Sequence, residues 1–160
     1  MDTGKITRTI DVFARAHALL VDAEALIARP HAWTRRALAR DARRREVLAS
    51  EPDACQWCLI GALTRVYHRA VVTAVRDSDS DSASASITAW RLGRRAALRA
   101  LAREAGAEAF PLPDLDEQAT DILMVYNDRA PSKRAVLTLL RRAQARLERG
   151  IMQQARRLYA

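Results

Sequence analysis

KITRTIDVFARAHALLVDAEALIAR, residues 5–29, is the stretch on which the architecture turns. Ile6, Ile10, Phe13, His17, Leu20 and Ile27 recur at steps of three, four and seven, so one face of a 3.6-residue helix collects them. Asp2 or Thr3 is placed to cap this helix. Pro30 ends it, because the residue before a proline is pushed away from helical geometry. A helix of this length with one apolar stripe needs partners to bury that stripe against.

The rest of the chain supplies such partners. After Pro52, the run Ala54-Cys-Gln-Trp-Cys-Leu-Ile-Gly-Ala-Leu63 continues at helical spacing through Val66, Ala70 and Ala74, and Asp53 is the expected N-cap of a helix ending near Val75. Gly61 in its interior implies the close approach of another backbone, since a helical glycine costs about 1 kcal/mol relative to alanine. Further helices are expected from Ile87 to Glu104, closed by Gly106, and from Leu115 to Tyr126, ending in a turn at Asn127-Asp128-Arg129. The last starts at Ser132 or Asp128 and carries Val136, Leu139, Leu140, Ala143, Leu147 and Ile151 on one stripe. Phe110-Pro-Leu-Pro113 reads as an extended connector. Residues 76–86, rich in Asp and Ser, read as a mobile linker with nothing to bury, part of which can serve as the cap of the next helix. Between His31 and Asp53 the periodicity fails, and a loop or short extended hairpin near residues 37–49 is expected. The sum is an all-α, single-domain bundle of about five helices spanning residues 1–160.

Composition agrees. Of 160 residues, 49% are hydrophobic but only 5% aromatic, much of the remainder being alanine, which favours helix over strand. No apolar run approaches the roughly 20 residues of a membrane span, and no basic start leads into an apolar signal core, so a cytoplasmic protein is the expectation. The formal charge of +8 comes almost wholly from arginine and favours anionic partners, nucleic acid or an acidic protein. Arginine and alanine are also what GC-rich coding produces, which weakens that inference.

Candidate chemistry is sparse. Cys55-Gln-Trp-Cys58 has the spacing of a redox dithiol or half a zinc site, but no preceding strand is evident and no further pair of ligands stands at a recognisable spacing, so core packing is the better reading. The Asp-Ser tract lacks the glycine and distal glutamate of a calcium loop, and no metal or cofactor is expected. His17 and Glu24, two turns apart, stand about 10 Å from each other along the axis, too far to pair directly. Asn127, Asp128 and Trp33 form the candidate polar cluster, weighed against local capping by Asn and Asp. Arg35, Arg36, Arg43, Arg44, Arg91, Arg95, Arg141 and Arg149 form the candidate basic surface, weighed against solvated helix faces.

Three stretches, Trp33-Thr-Arg-Arg-Ala-Leu-Ala-Arg-Asp41, Ala54 to Leu63, and Asn127-Asp128 with Val136-Leu-Thr-Leu-Leu-Arg-Arg-Ala143, resemble a family of small bacterial and phage-encoded proteins known only as a domain of unknown function. The resemblance covers most of residues 10–147. It implies a short extended excursion after Ala39-Arg-Asp41 leading into a glycine-containing turn, where this chain has Arg43-Arg-Arg45. It carries no activity, substrate or cofactor.

Two functional readings follow. The first is a non-enzymatic accessory or interaction module whose basic face engages an acidic or nucleic-acid partner. The alternative is a small enzyme or ligand-binding protein with a cleft around Asn127 and Asp128. A homodimer through spare apolar helix surface is a third, structural possibility.

Overall fold

The computed structural model describes residues 3–106 and 115–159. Five helices are found there: α1 (Thr3–Ala28), α2 (Leu59–Arg76), α3 (Ser80–Glu104), α4 (Leu115–Arg129) and α5 (Lys133–Leu158). Three two-residue strands, β1 (Ala39–Arg40), β2 (Glu46–Val47) and β3 (Gln56–Trp57), fall between α1 and α2. They form a small antiparallel sheet in the order β2-β1-β3, with Ala39 opposite both Val47 and Trp57. The fold is therefore mainly helical, with the expected hairpin present and a third strand added to it.

α1 is the central element, packing on α5, α3 and α2. Its buried residues are Ile6, Ala16, Leu19, Leu20, Ala23, Leu26 and Ile27. All of these except Ile6 meet Leu98 and Leu101 of α3, Leu59 and Leu63 of α2, Leu123 of α4, and Val136, Leu139, Leu140 and Leu147 of α5 in one core. Burying a leucine or isoleucine of this kind contributes about 1.5–3 kcal/mol. The start of α5 matches expectation, Ser132 capping it by accepting from the Ala135 N–H; its first residue, Lys133, donates from Nζ to the carbonyls of Ala28 and Arg29 at 3.2 and 3.0 Å, satisfying the open C-terminus of α1. Gly106, at φ 101°, follows α3 in the left-handed geometry that a glycine adopts without strain.

Three expectations need correction and two fall outside the described residues. The Asp-Ser tract is not a linker over 76–86: only residues 77–79 separate α2 from α3, because Asp79 accepts from the Ser82 N–H and so starts a helix where composition suggests none. α2 begins at Leu59 rather than after Asp53, since Gln56 and Trp57 pair with β1 and hold the chain extended up to Cys58. α4 runs through Asn127 and Asp128 to Arg129 instead of stopping before them. The Phe110–Pro113 connector and the proposed cap at Asp2 lie outside the described residues.

Candidate functional site

The segment between α1 and α2 is tied down by polar contacts. Beyond Pro30 the chain turns through His31 at φ 56°, a left-handed conformation that side chains disfavour, and then runs beside β3. Trp33 bridges Trp57 in parallel, with the Trp57 N–H donating to the Ala32 carbonyl at 2.7 Å and the Thr34 N–H to the Trp57 carbonyl at 3.1 Å. The buried Trp57 indole donates to the Ala49 carbonyl at 3.2 Å, so the loop after β2 folds over it.

Asn127 is the hub of this region. It is wholly buried. Its Oδ1 accepts from the Trp33 indole N–H at 2.9 Å and from the Leu59 N–H at 3.1 Å, while its Nδ2 donates to the Thr34 carbonyl at 3.1 Å and to Asp128 Oδ1 at 3.4 Å. The amide orientation follows from chemistry, because an indole and a backbone N–H can only donate and must face the oxygen. Asp128 Oδ1 also accepts from the Arg36 N–H at 2.8 Å, and Arg36 is a second residue at positive φ, 57°. The expected cluster of Trp33, Asn127 and Asp128 is thus assembled. All four hydrogen-bonding positions of the Asn127 amide are used inside the fold, which leaves none for a substrate.

The hairpin between β1 and β2 explains the departure at Arg43-Arg-Arg45. The Arg44 N–H donates to the Asp41 carbonyl at 2.9 Å and the Asp41 N–H to the Arg45 carbonyl at 3.0 Å, a tight turn closed by one left-handed residue. That residue is Arg44, at φ 63°. Glycine is the usual occupant of such a position. Asp41 holds the turn from inside: its carboxylate accepts from the N–H groups of Arg43 and Arg45, each at 2.9 Å, and from the Arg45 guanidinium at 2.7 Å. Burial pushes the Asp41 carboxyl up, but the bonds from Arg45 and Arg43 outweigh it and leave the group below the ordinary carboxylate value.

A pocket of about 470 Å³ opens beside this hairpin, lined by His31, Trp33, Thr34, Arg40, Arg44 and Gln56. The Arg35 guanidinium covers one face of the Trp33 ring at 4.7 Å and donates to the Ala130 carbonyl. Arg40 is partly engaged, donating to the Arg44 carbonyl at 2.9 Å and facing Glu46 at 3.4 Å. Arg36, Arg43 and Arg44 are exposed, and their side chains make no hydrogen bond or ion pair among the described residues. His31, Thr34, Arg40 and Gln56 stand outside the expected site. No periodicity or motif marks them, because they converge only through a left-handed turn at His31 and strand pairing at Gln56.

The expected basic surface is divided. Arg35, Arg36, Arg43 and Arg44 share the loop and hairpin segment, whereas Arg91 and Arg95 lie on α3, and Arg141 and Arg149 on α5. Arg141 is paired with Glu24 at 2.7 Å. His17 and Glu24 do not pair with each other: His17 meets Glu148 at 2.9 Å, and Glu24 binds Arg141 and Gln144, so both turn toward α5. Trp90 lies under Arg15, 5.2 Å from its guanidinium, and away from the hairpin.

Cys55 and Cys58 flank β3 after all, so a strand does precede the helix. The extended path between them spans roughly 10 Å at about 3.3 Å per residue, beyond the 7 Å or so that a disulfide tolerates between Cα atoms. Cys58 is buried and caps α2, its Sγ accepting from the Gly61 N–H at 3.3 Å, and burial pushes its thiol above the ordinary value. Cys55 is exposed. Titration with a thiol reagent is expected to modify Cys55 alone in the native protein and Cys58 only after denaturant is added. Rapid native reaction of both would contradict the placement of Cys58. Among the described residues, no cluster of three or more His, Cys, Asp or Glu side chains is arranged to hold a metal ion, and no helix is long and apolar enough to cross a membrane.

The fold and this segment define a mainly helical protein that carries, on a small sheet inserted between its first two helices, a basic pocket with a tryptophan in its wall. The chain belongs to the family of unknown function DUF6197, whose sequence profile matches residues 13–146. No curated protein and no solved structure shows a significant match to it.

Proposed function

We propose that this protein is a non-enzymatic interaction module that engages a nucleic acid through the basic hairpin and pocket between α1 and α2. The observation that carries the reading is Arg44. It sits at φ 63°, where a glycine would fold with less strain, and its exposed, unpartnered side chain lines the pocket. Strained backbone of this kind tends to collect where a side chain is needed for function. His31, on the same pocket, and Arg36, on the neighbouring loop, repeat the pattern. Arg43 and Arg36 extend the unpaired charge beyond the pocket's rim. The enzyme alternative is the weaker reading, because the Asn127 amide is saturated by the fold.

The test combines binding with stability. Titration of duplex and single-stranded DNA at two salt concentrations is expected to give an affinity that falls steeply with salt. Arg44→Gly separates function from folding. Relief of left-handed strain, about 1–2 kcal/mol, less the greater chain entropy of glycine, about 0.5–1 kcal/mol, is expected to change the unfolding free energy by about 0 to +1.5 kcal/mol, so that the variant is no less stable than the parent. The same variant is expected to bind more weakly and to lose roughly 0.7–0.9 from the slope of log affinity against log salt. No measurable binding at low salt would refute the proposal.

A further inference from the structure

Phosphate attraction alone does not account for the pocket's composition. Of its six lining residues, Arg40, Arg44 and His31 are suited to an anion, but Trp33, whose one N–H is taken by Asn127, is not an anion ligand. The Gln56 side chain is half-buried on β3, makes no hydrogen bond among the described residues, and offers two donors and an acceptor. Trp33 is fixed in orientation by its indole bond to Asn127 at 2.9 Å and by Arg35 on one face. The ring is partly buried against the core and contributes to the pocket wall. A rigid aromatic ring, a free amide and cationic side chains around a concavity of about 470 Å³ match a ligand that is flat and apolar at one end, hydrogen-bonding at its edge and anionic at the other.

We infer that the pocket formed by Trp33, Gln56, Thr34, Arg40, Arg44 and His31 binds one unpaired nucleotide, its base against Trp33 with its edge at Gln56, and its phosphate toward Arg44 and His31. This inference rests on the nucleic-acid reading above and narrows it. A base inside a duplex is stacked on both faces and cannot enter, so the site selects single strands or free nucleotides. Contact of the base with the Trp33 ring is tolerant of sequence because every base has a π-face. An acidic peptide would satisfy Arg44 but leave the Trp33 ring unused.

The experiment measures polarisation of a labelled single strand of about a dozen thymidines, an abasic strand of equal length, and a duplex, each at low and at roughly physiological salt, with a free nucleoside monophosphate as competitor. The expected result is that the single strand binds about tenfold or more tighter than the duplex or the abasic strand, in line with stacking of one base. Gln56→Ala, at a position whose side chain makes no hydrogen bond among the described residues, is expected to remove much of that margin. Competition by the monophosphate at concentrations near the strand's own dissociation constant identifies a free nucleotide as the occupant, whereas competition only at far higher concentrations identifies a strand. Equal binding of all three polymers, with Gln56→Ala silent, overturns the nucleotide site while leaving a general basic surface standing. Absence of binding to any of them at low salt overturns both.

Discussion

Asn127→Ala is expected to lower the unfolding free energy by about 3–6 kcal/mol, a large share of the 5–15 kcal/mol that holds a domain of ordinary size together. The alanine strands three groups at once: the Trp33 indole N–H, the Leu59 N–H and the Thr34 carbonyl, each bound only within the Asn127 network at 2.9–3.1 Å. A buried polar group left unpaired costs about 1–3 kcal/mol, and water entering the small cavity recovers part of the sum. Leu59 N is also one of the open donors at the start of α2, so the loss frays the helix that Asn127 caps from a distance. Asn127→Asp offers a second arm. It keeps an acceptor for Trp33 and Leu59 but sets a buried carboxylate against the Thr34 carbonyl and Asp128. The new acid's folded-state pKa is then raised above its unfolded value, so its neutral form is favoured in the native state. The damage is therefore greatest near neutrality and diminishes as pH falls through that raised pKa. Urea denaturation of both variants between pH 5 and 8 checks this. A loss below about 1 kcal/mol for Asn127→Ala would mean that the network carries little of the stability.

How much of this was legible in the sequence depends on the kind of interaction. The apolar stripes of α1 and α5 were readable because helix burial is periodic: Leu20, Ile27, Val136, Leu139, Leu140, Ala143 and Leu147 are buried as their spacing requires. Where a short apolar run met a strand, periodicity misled. Ala54 to Trp57 fits a helix as well as a strand in isolation, and only pairing of Gln56 with Arg40 and Trp57 with Ala39 decides between them. The Asp-Ser tract misled for the opposite reason, since its composition has nothing to bury but Asp79 has a cap to make. Of the candidate site, the polar trio of Trp33, Asn127 and Asp128 was named, although 94 residues separate the first two. The pocket was not. Positive φ at His31 and Arg44 leaves no mark in a sequence when the residue there is not glycine.

Gly61→Ala puts the two scales of the argument in direct opposition. Inside α2, alanine exceeds glycine in helix propensity by about 1 kcal/mol, so local reasoning forecasts a more stable protein. Packing forecasts the reverse. A Cβ on Gly61 lands 1.8 Å from the Leu38 carbonyl oxygen and 2.7 Å from its carbon, both backbone atoms with no flexible end to swing aside. That carbonyl is already held by the Cys58 N–H at 3.1 Å, next to the pairing of Ala39 with Trp57. Making room for a methyl group therefore moves the start of β1 away from α2, stretches the Cys58 bond, and disturbs the strand that carries Gln56 and positions Trp33. Overpacking of this kind typically costs about 1–3 kcal/mol, and a rigid backbone neighbour places Gly61→Ala at or above the upper end. Equilibrium unfolding in urea decides the sign, and loss of native protection at Cys58 toward a thiol reagent reports whether the hairpin has lifted. A neutral or stabilising outcome would show that β1 yields freely at Leu38, and the close approach that joins the sheet to the helical core would then be far softer than its geometry implies.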